Sequence, residues 1–358
     1  MPGRLVSIDA MRGADMLLLM GVGSLVSALF GADAWIAHQF THVAWNGLRL
    51  EDMIFPVFLF VAGVSFPYSC SKQIAIGRTQ MQISLQILRR GIILFLLGLV
   101  YDGLFRLEPA ELVWGSVLGR IGIAWALAAL IHVWLARRTQ IVLAVVILLG
   151  YWAVMCGIVA PDHPTALPLS PEGNLSGWLD RMILPGRLTV PGLYSNQGTL
   201  STLPAVVTVL LGMFTGDFVK STTLSGTRRT LVLLVGGVVL VVFGLVIAYG
   251  CGDWSFPLNK KLWSSSFVLT VGGMSVLLFA VFHWVCDVRG WTRWAFPLRV
   301  VGVNSITIYL AMEIVPFGAI RDFFVAPCLG SVAAALGYIV VCWLFLYFLY
   351  RHNVFLKV

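Results

Sequence analysis

His42, Trp45, Asn46, Glu51 and Asp52 stand together just ahead of the apolar run that opens Met53-Ile54-Phe55-Pro56. Histidine titrates near neutrality, and a neighbouring carboxylate can hold its ring in one tautomer, which is the smallest arrangement able to act as a general base. Ionisable groups at membrane depth are costly, and they face a cavity or one another when they occur. The same residues also have a reading without chemistry. In it Asp52 caps the second span, His42 is an ordinary loop residue and Trp45 is an interfacial anchor.

Three further clusters carry polar groups into apolar sequence. Asn259-Lys260-Lys261-Leu262-Trp263 leads through Ser264, Ser265 and Ser266 into another apolar run. Its lysines and asparagine suit an anion or a thioester carbonyl, whereas serines inside a helix often bond only their own backbone. A later run contains Asn304, Ser305 and Glu313. Asn304 and Ser305 are adjacent and so point about 100° apart on a helix, while Glu313 is expected on the face of Asn304 and nearer the outer surface. Near the N-terminus Asp9, Arg12 and Asp15 recur three apart on one side of a helix. They form either a self-neutralising patch with Ser7 as N-cap, or a contact through Arg12 for a phosphate-bearing ligand on the cytoplasmic side.

The elements that must position these groups are membrane spans. The chain of 358 residues is 59% hydrophobic and 11% charged, with a mean hydropathy of +0.91, far from the roughly 25% charged composition of a soluble domain. Apolar runs long enough to cross a bilayer centre on 14–31, 53–70, 90–106, 117–135, 139–160, 201–219, 230–251, 264–286, 297–317 and 329–350. The expected fold is therefore all-α, about ten transmembrane helices in a single bundle spanning 1–358 as one domain. The Pro- and Gly-rich segment 161–200 is expected as an extracytoplasmic loop, either a lid or a substrate-facing wall.

A formal charge of +8 could signal nucleic-acid binding, so the placement of the cations decides. With the N-terminus inside, sixteen of the 24 Lys and Arg fall inside, among them Arg4, Arg12, Arg89, Arg90 and Lys357, and eight fall outside, among them Arg106, Lys260 and Lys261. That bias orients both termini to the cytoplasm and leaves no role for nucleic acid. The cysteines, at 70, 156, 251, 286, 328 and 342, lie in or beside the spans without metal-ligand spacing, so neither a disulfide framework nor a metal site is expected. Asp9, Arg12 and Asp15 interrupt the first apolar segment, which is expected to stay in the mature protein. No internal repeat relates the two halves, which weakens a transporter reading.

The segments RLVSIDAMRGADM (4–16), HVAWNGLRLEDMIFPVFLFVAGVS (42–65), LGRIGIAW (118–125), GTLSTLPAVVTVLLGMFTGD (198–217), NKKLWSSSFVL (259–269) and RWAFPLRVVGVNSITIYL (293–310) occur in this order. In that order they resemble the transmembrane acyltransferase family of lysosomal heparan-α-glucosaminide N-acetyltransferase, in a bacterial inner-membrane branch linked to N-acetylglucosamine utilisation. The resemblance implies acetyl transfer from cytosolic acetyl-CoA to the amine of a glucosamine, or of a glucosamine-terminated saccharide, across the lipid bilayer. It allows a homodimer. His42 matches the family's catalytic histidine and Asp52 the carboxylate that follows it, while Asn259, Trp263, Asn304, Ser305 and Glu313 fall on its motif positions. The chain departs from the lysosomal enzyme at Gly23, where that enzyme has asparagine, and at Ser195-Asn196-Gln197-Gly198, where it has Asp-Pro-Glu-Gly.

The mechanism so implied makes His42 the base, or alternatively an acetyl carrier, with Asp52 orienting its ring. Arg12, Arg89 and Arg90 would meet the CoA phosphates. Asn46, Asn259, Lys260, Trp263, Asn304 and Ser305 would belong to the donor site, and Trp45, Gln197, Lys261 and Glu313 to the acceptor site. The rival reading is an amino-sugar permease, in which the same polar residues line a path without covalent chemistry.

Overall fold

The computed structural model describes residues 5–104, 108, 110–221, 223–325 and 330–356. Arg4, Arg106, Cys328 and Lys357 lie outside the described residues. The helices are α1 (Val6–Leu17), α2 (Gly23–Phe30), α3 (Trp35–His38), α4 (Leu50–Ala75), α5 (Gln80–Tyr101), α6 (Val117–Trp134), α7 (Arg137–Gly157), α8 (Leu175–Ile183), α9 (Thr202–Ser221), α10 (Gly226–Tyr249), α11 (Ser265–His283), α12 (Phe296–Val303), α13 (Ser305–Ile314), α14 (Phe317–Phe324) and α15 (Gly330–Arg351). Among the described residues nine helices are long and apolar enough to cross a membrane, counting Val6–Phe30 as one. The protein is a polytopic helical membrane protein.

The ninth expected span, 297–317, is broken. α12 ends at Asn304, whose backbone (φ −118°, ψ 24°) leaves the helical region before α13 begins. The amide of Asn304 bonds only as far back as Val301. Broken helices are tolerated at membrane depth where the exposed backbone lines a cavity or is buried in protein. The break also separates Asn304 from the helix that carries Glu313, so the expected shared face does not exist. The first span is interrupted too: a π-helical turn, Leu18–Val22, joins α1 to α2, with Gly21 at φ 104°.

Buried share sorts the spans into centre and periphery. It reaches 67% in α4, 67% in α9 and 72% in the span of α11, against 22% in α10 and 17% in α15. The central pair α4 and α9 meet backbone to backbone. A Cβ on Gly63 would collide with the carbonyl of Val209, and one on Gly212 with that of Phe60. Without a hydrophobic drive between helices in lipid, such close approach of small residues supplies the packing. α1 and α12 cross in the same way, through Gly13 against the Leu298 carbonyl and Gly302 against that of Asp9.

The segment 161–200 is an ordered wall. α8 sits within it, and Asn174, which caps that helix by accepting from the amide of Gly177 (2.6 Å), also donates to the carbonyls of Ser170 and Pro171. Fully buried Asp180 accepts from the amides of Thr199 (2.7 Å) and Ser195 (3.3 Å). Burial pushes the Asp180 carboxyl up, and those two amides work against the shift.

The orientation read from the cations makes a topological prediction. In intact cells whose protein lacks native cysteines, single cysteines at the exposed positions Ala32 and Asp253 should react with an impermeant thiol reagent. Those at exposed Lys72 and Ser225 should react only after lysis. The reverse pattern would put the His42 loop in the cytosol.

Candidate functional site

The loop before α4 is pinned at several points. Gly47 donates its amide to the carbonyl of Leu258 (2.8 Å) and Glu51 to that of Gln39 (3.0 Å). The side-chain amide of Asn259 donates to Oδ1 of Asn46 (3.0 Å), and its own oxygen accepts from the amide of Leu262 (2.9 Å). Lys261 donates to the carbonyl of Ala44 (2.5 Å) and the hydroxyl of Tyr194 (3.2 Å), which lies against Trp45 at 4.9 Å between ring centroids. Trp45 in turn donates to the carbonyl of Leu169 (2.8 Å). Three stretches far apart in sequence are thereby locked into one rim.

At this rim His42 Nδ1 lies 2.9 Å from Asp52 Oδ1. The histidine side chain is 58% exposed and the carboxylate 1%. The other carboxylate oxygen accepts from the amides of Arg49 (3.3 Å) and Val43 (3.4 Å). Asp52 thus caps α4 and orients the imidazole at once. Lys260 Nζ stands 3.6 Å from Asp52 Oδ1 and 3.5 Å from His42 Nδ1. An ionised carboxylate can only accept, so at this distance Nδ1 is the donor and its proton points to Asp52. Nε2 keeps its lone pair free, as a base requires. Burial pushes the Lys260 amine below the usual lysine range, and the carboxylates of Asp52 and Glu51 oppose that shift.

His42 and Asp52 line a chamber of about 380 Å³, here called the outer chamber. Its walls include Asp15, Trp45, Glu51, Asn196, Gln197, Lys260, Lys261, Trp263, Ser305 and Tyr309. Trp263 adopts φ 52°, is fully buried and donates to Thr208 (3.1 Å). The guanidinium of Arg120, 2% exposed, lies 5.0 Å above its ring and donates to Ser201 (2.5 Å). Arg120 carries no sequence signal for a site beyond being an ionisable residue in an apolar run, and Asp15 none beyond its spacing from Asp9 and Arg12.

A second chamber of about 210 Å³ lies against the first. Phe58, Leu118, Ile121, Ser305 and Ile306 line both and form a shared septum. Arg12, Arg90, Trp125, Asn304 and Thr307 line only this inner chamber. Arg90 lies 4.4 Å over Trp125. Arg90 Nε, Trp125 Nε1, both amide atoms of Asn304 and the Thr307 hydroxyl are buried there without a hydrogen-bond partner. Buried polar atoms are nearly always paired, so such a concentration calls for a polar ligand or water.

The structure therefore gathers His42, Asp52, Trp45, Gln197, Lys260, Lys261, Trp263 and Ser305 on one chamber, and Arg12, Arg90, Asn304 and Ser305 on the other. It leaves out four residues expected at the site. Asn46 and Asn259 line neither chamber; both polar atoms of the Asn259 amide are engaged, by Asn46 and by the Leu262 amide, and Asn46 is exposed. Arg89, adjacent to Arg90, is turned about 100° away on its helix and is exposed. Glu313 is exposed and lines neither chamber; burial, with Glu313 adding to it, holds the Asp102 carboxyl up at about 6.

The double duty of Asp52 gives a sharp expectation for Asp52→Asn. One amide oxygen can accept from the imidazole or from the Val43 and Arg49 amides, but not from both sets. The variant should lose thermal stability and its histidine orientation together, measured as a lowered Tm and an altered His42 imidazole NMR signature. Wild-type values for both would show that the shared carboxylate does neither job.

No family model matches the chain. Among curated proteins it is similar to heparan-alpha-glucosaminide N-acetyltransferase of Homo sapiens, 25% identical over 369 residues that cover 88% of this chain and 53% of that protein. The protein of the same name from Mus musculus is also 25% identical, over 365 residues that cover 87% of the chain and 53% of the relative. The chain spans about half the length of the curated relatives it matches.

Proposed function

We propose that the chain is a membrane-embedded N-acetyltransferase, moving acetyl from acetyl-CoA to the amine of a glucosamine-type sugar. The observation that carries this reading is the back-to-back pair of chambers. One presents a carboxylate-oriented histidine beside a lysine, and the other presents two arginines and a set of unpartnered polar atoms. The likeness to N-acetyltransferases supports the reaction class, and the charge bias favours the far side of the membrane for the outer chamber. A bacterial inner membrane is part of the same proposal.

In this reading the nucleotide and phosphates of CoA bind in the inner chamber, where Arg12 and Arg90 supply charge-assisted hydrogen bonds. The acetyl-bearing arm crosses the septum past Ser305 and presents the thioester to the outer chamber. His42 Nε2 takes a proton from the amine as it attacks the carbonyl. Asp52 fixes the tautomer and balances the imidazolium that forms. Lys260 is the donor available for the developing oxyanion, since the amide of Asn259 is already used. Gln197, Trp45 and Lys261 form the acceptor's side of the chamber.

The test is CoA thiol release by purified protein, which should occur only when an amino sugar is present. His42→Ala should lower the rate about 10² to 10⁴-fold while acetyl-CoA still binds. Wild-type turnover in that variant, or transport of labelled amino sugar with no thiol release, would sink the assignment. Arg90→Gln should raise KM for acetyl-CoA about tenfold, the size of one charge-assisted hydrogen bond. The same variant should leave S-acetylpantetheine, which lacks the nucleotide, unaffected. An equal loss with both donors would remove Arg90 from the phosphate site.

A further inference from the structure

Asp15 is a buried carboxyl that the mechanism above leaves unused. It sits on α1 one turn beyond Arg12, and the septum divides the two: Arg12 lines the inner chamber and Asp15 the outer. The residue is 5% exposed, and its Oδ2 is buried without a hydrogen-bond partner. Glu51 lines the same chamber and lies within electrostatic reach of Asp15. Among the described residues neither carboxyl has a partner within ion-pairing distance.

The other charged groups at this chamber are accounted for. Lys260 pairs with Asp52, which also holds His42, and Lys261 is bonded to the rim at Ala44 and Tyr194. Arg12 acts on Asp15 from the far side of the septum, and His42, Lys260 and Asp52 act on Glu51 from the rim. A carboxyl in a membrane span with an open oxygen facing a cavity marks a place where a ligand supplies the missing partner. Asp15, with its open oxygen, and Glu51, lining the same chamber within its electrostatic reach, together specify a cation with several hydrogen-bond donors.

We infer that Asp15 and Glu51 form the ammonium receptor of the outer chamber, selecting a protonated primary amine over a neutral hydroxyl at the acceptor position. This rests on the acetyl-transfer reading for its chemistry but not for its binding. An amino sugar enters as the ammonium, which cannot attack a carbonyl. One of its protons passes to the carboxylate pair, leaving a neutral amine. As the C–N bond forms and the C–S bond breaks, a second proton passes to His42 and from there to the departing sulfur. The amide keeps one hydrogen on nitrogen, CoA leaves as the thiol, and the carboxyl pair holds the single proton that the overall reaction releases.

The experiment measures equilibrium binding of glucosamine and glucose to the whole purified protein, alongside thiol release from acetyl-CoA. Wild-type protein should prefer glucosamine about tenfold or more, the scale of a hydrogen bond to a charged group. Asp15→Asn, close to isosteric, should abolish that preference and raise KM for glucosamine by a like factor, with KM for acetyl-CoA unchanged. Glu51→Gln, on the less buried member of the pair, should do the same and covers the case in which Asp15→Asn does not fold. An undiminished preference for the amine in both variants would overturn the receptor. Amine-selective binding that depends on Asp15, in a protein that releases no thiol, would support the receptor and instead overturn the transfer reaction.

Discussion

The site depends on one carboxylate with no oxygen to spare. Asp52 is 1% exposed at the first turn of a membrane helix, a place where an unpaired charge costs several kcal/mol. The fold meets that cost with the imidazole on one oxygen, two backbone amides on the other and Lys260 alongside. Because the same atoms end the helix and aim the ring, the position of His42 is set by the start of α4 rather than by a flexible loop. The close glycine packing of α4 on α9 then fixes α4 itself, and the site rests on the buried centre of the bundle.

The rim shows how polar residues near a membrane divide into those that build and those that remain available. Asn259 is consumed by Asn46 and the Leu262 amide, and Trp45 and Lys261 hold the loop to the 161–200 wall. Lys260 and the free nitrogen of His42 remain. On the inner side the division runs the other way: Arg90, Trp125, Asn304 and Thr307 each keep a buried polar atom unpaired. That asymmetry is what separates a chamber from a seam between helices.

Local signals were legible in the sequence where the governing interaction is local. His42 and Asp52 are ten positions apart across a short loop, so their pairing could be read from spacing, and length and hydropathy were enough for the spans. Long-range facts were not. The bond between Asn46 and Asn259 joins residues 213 apart, and nothing in either segment says its amide is taken. The break at Asn304 sits in an apolar run whose composition reads as a continuous helix. Asp9, Arg12 and Asp15 do share one side of α1, as their spacing implies, but only the packing of Phe58, Leu118 and Ile306 puts Arg12 and Asp15 into different chambers. Arg89 and Arg90 are chemically alike, and helix rotation alone tells them apart.

The septum has an electrical consequence. Four of its five members are hydrocarbon or aromatic, and Ser305 is the lone hydroxyl. Water and ions on the two sides are separated by a layer about one side chain thick, with no carboxylate, lysine or histidine in it to relay a proton. A membrane potential of 100 mV is worth about 2.3 kcal/mol for each charge that crosses. With the chambers opening to opposite faces, as proposed, most of that voltage would fall across this thin partition rather than across the full bilayer. A protein so arranged would sit in an energised membrane without short-circuiting it, provided that whatever crosses the septum is slender and uncharged at that point.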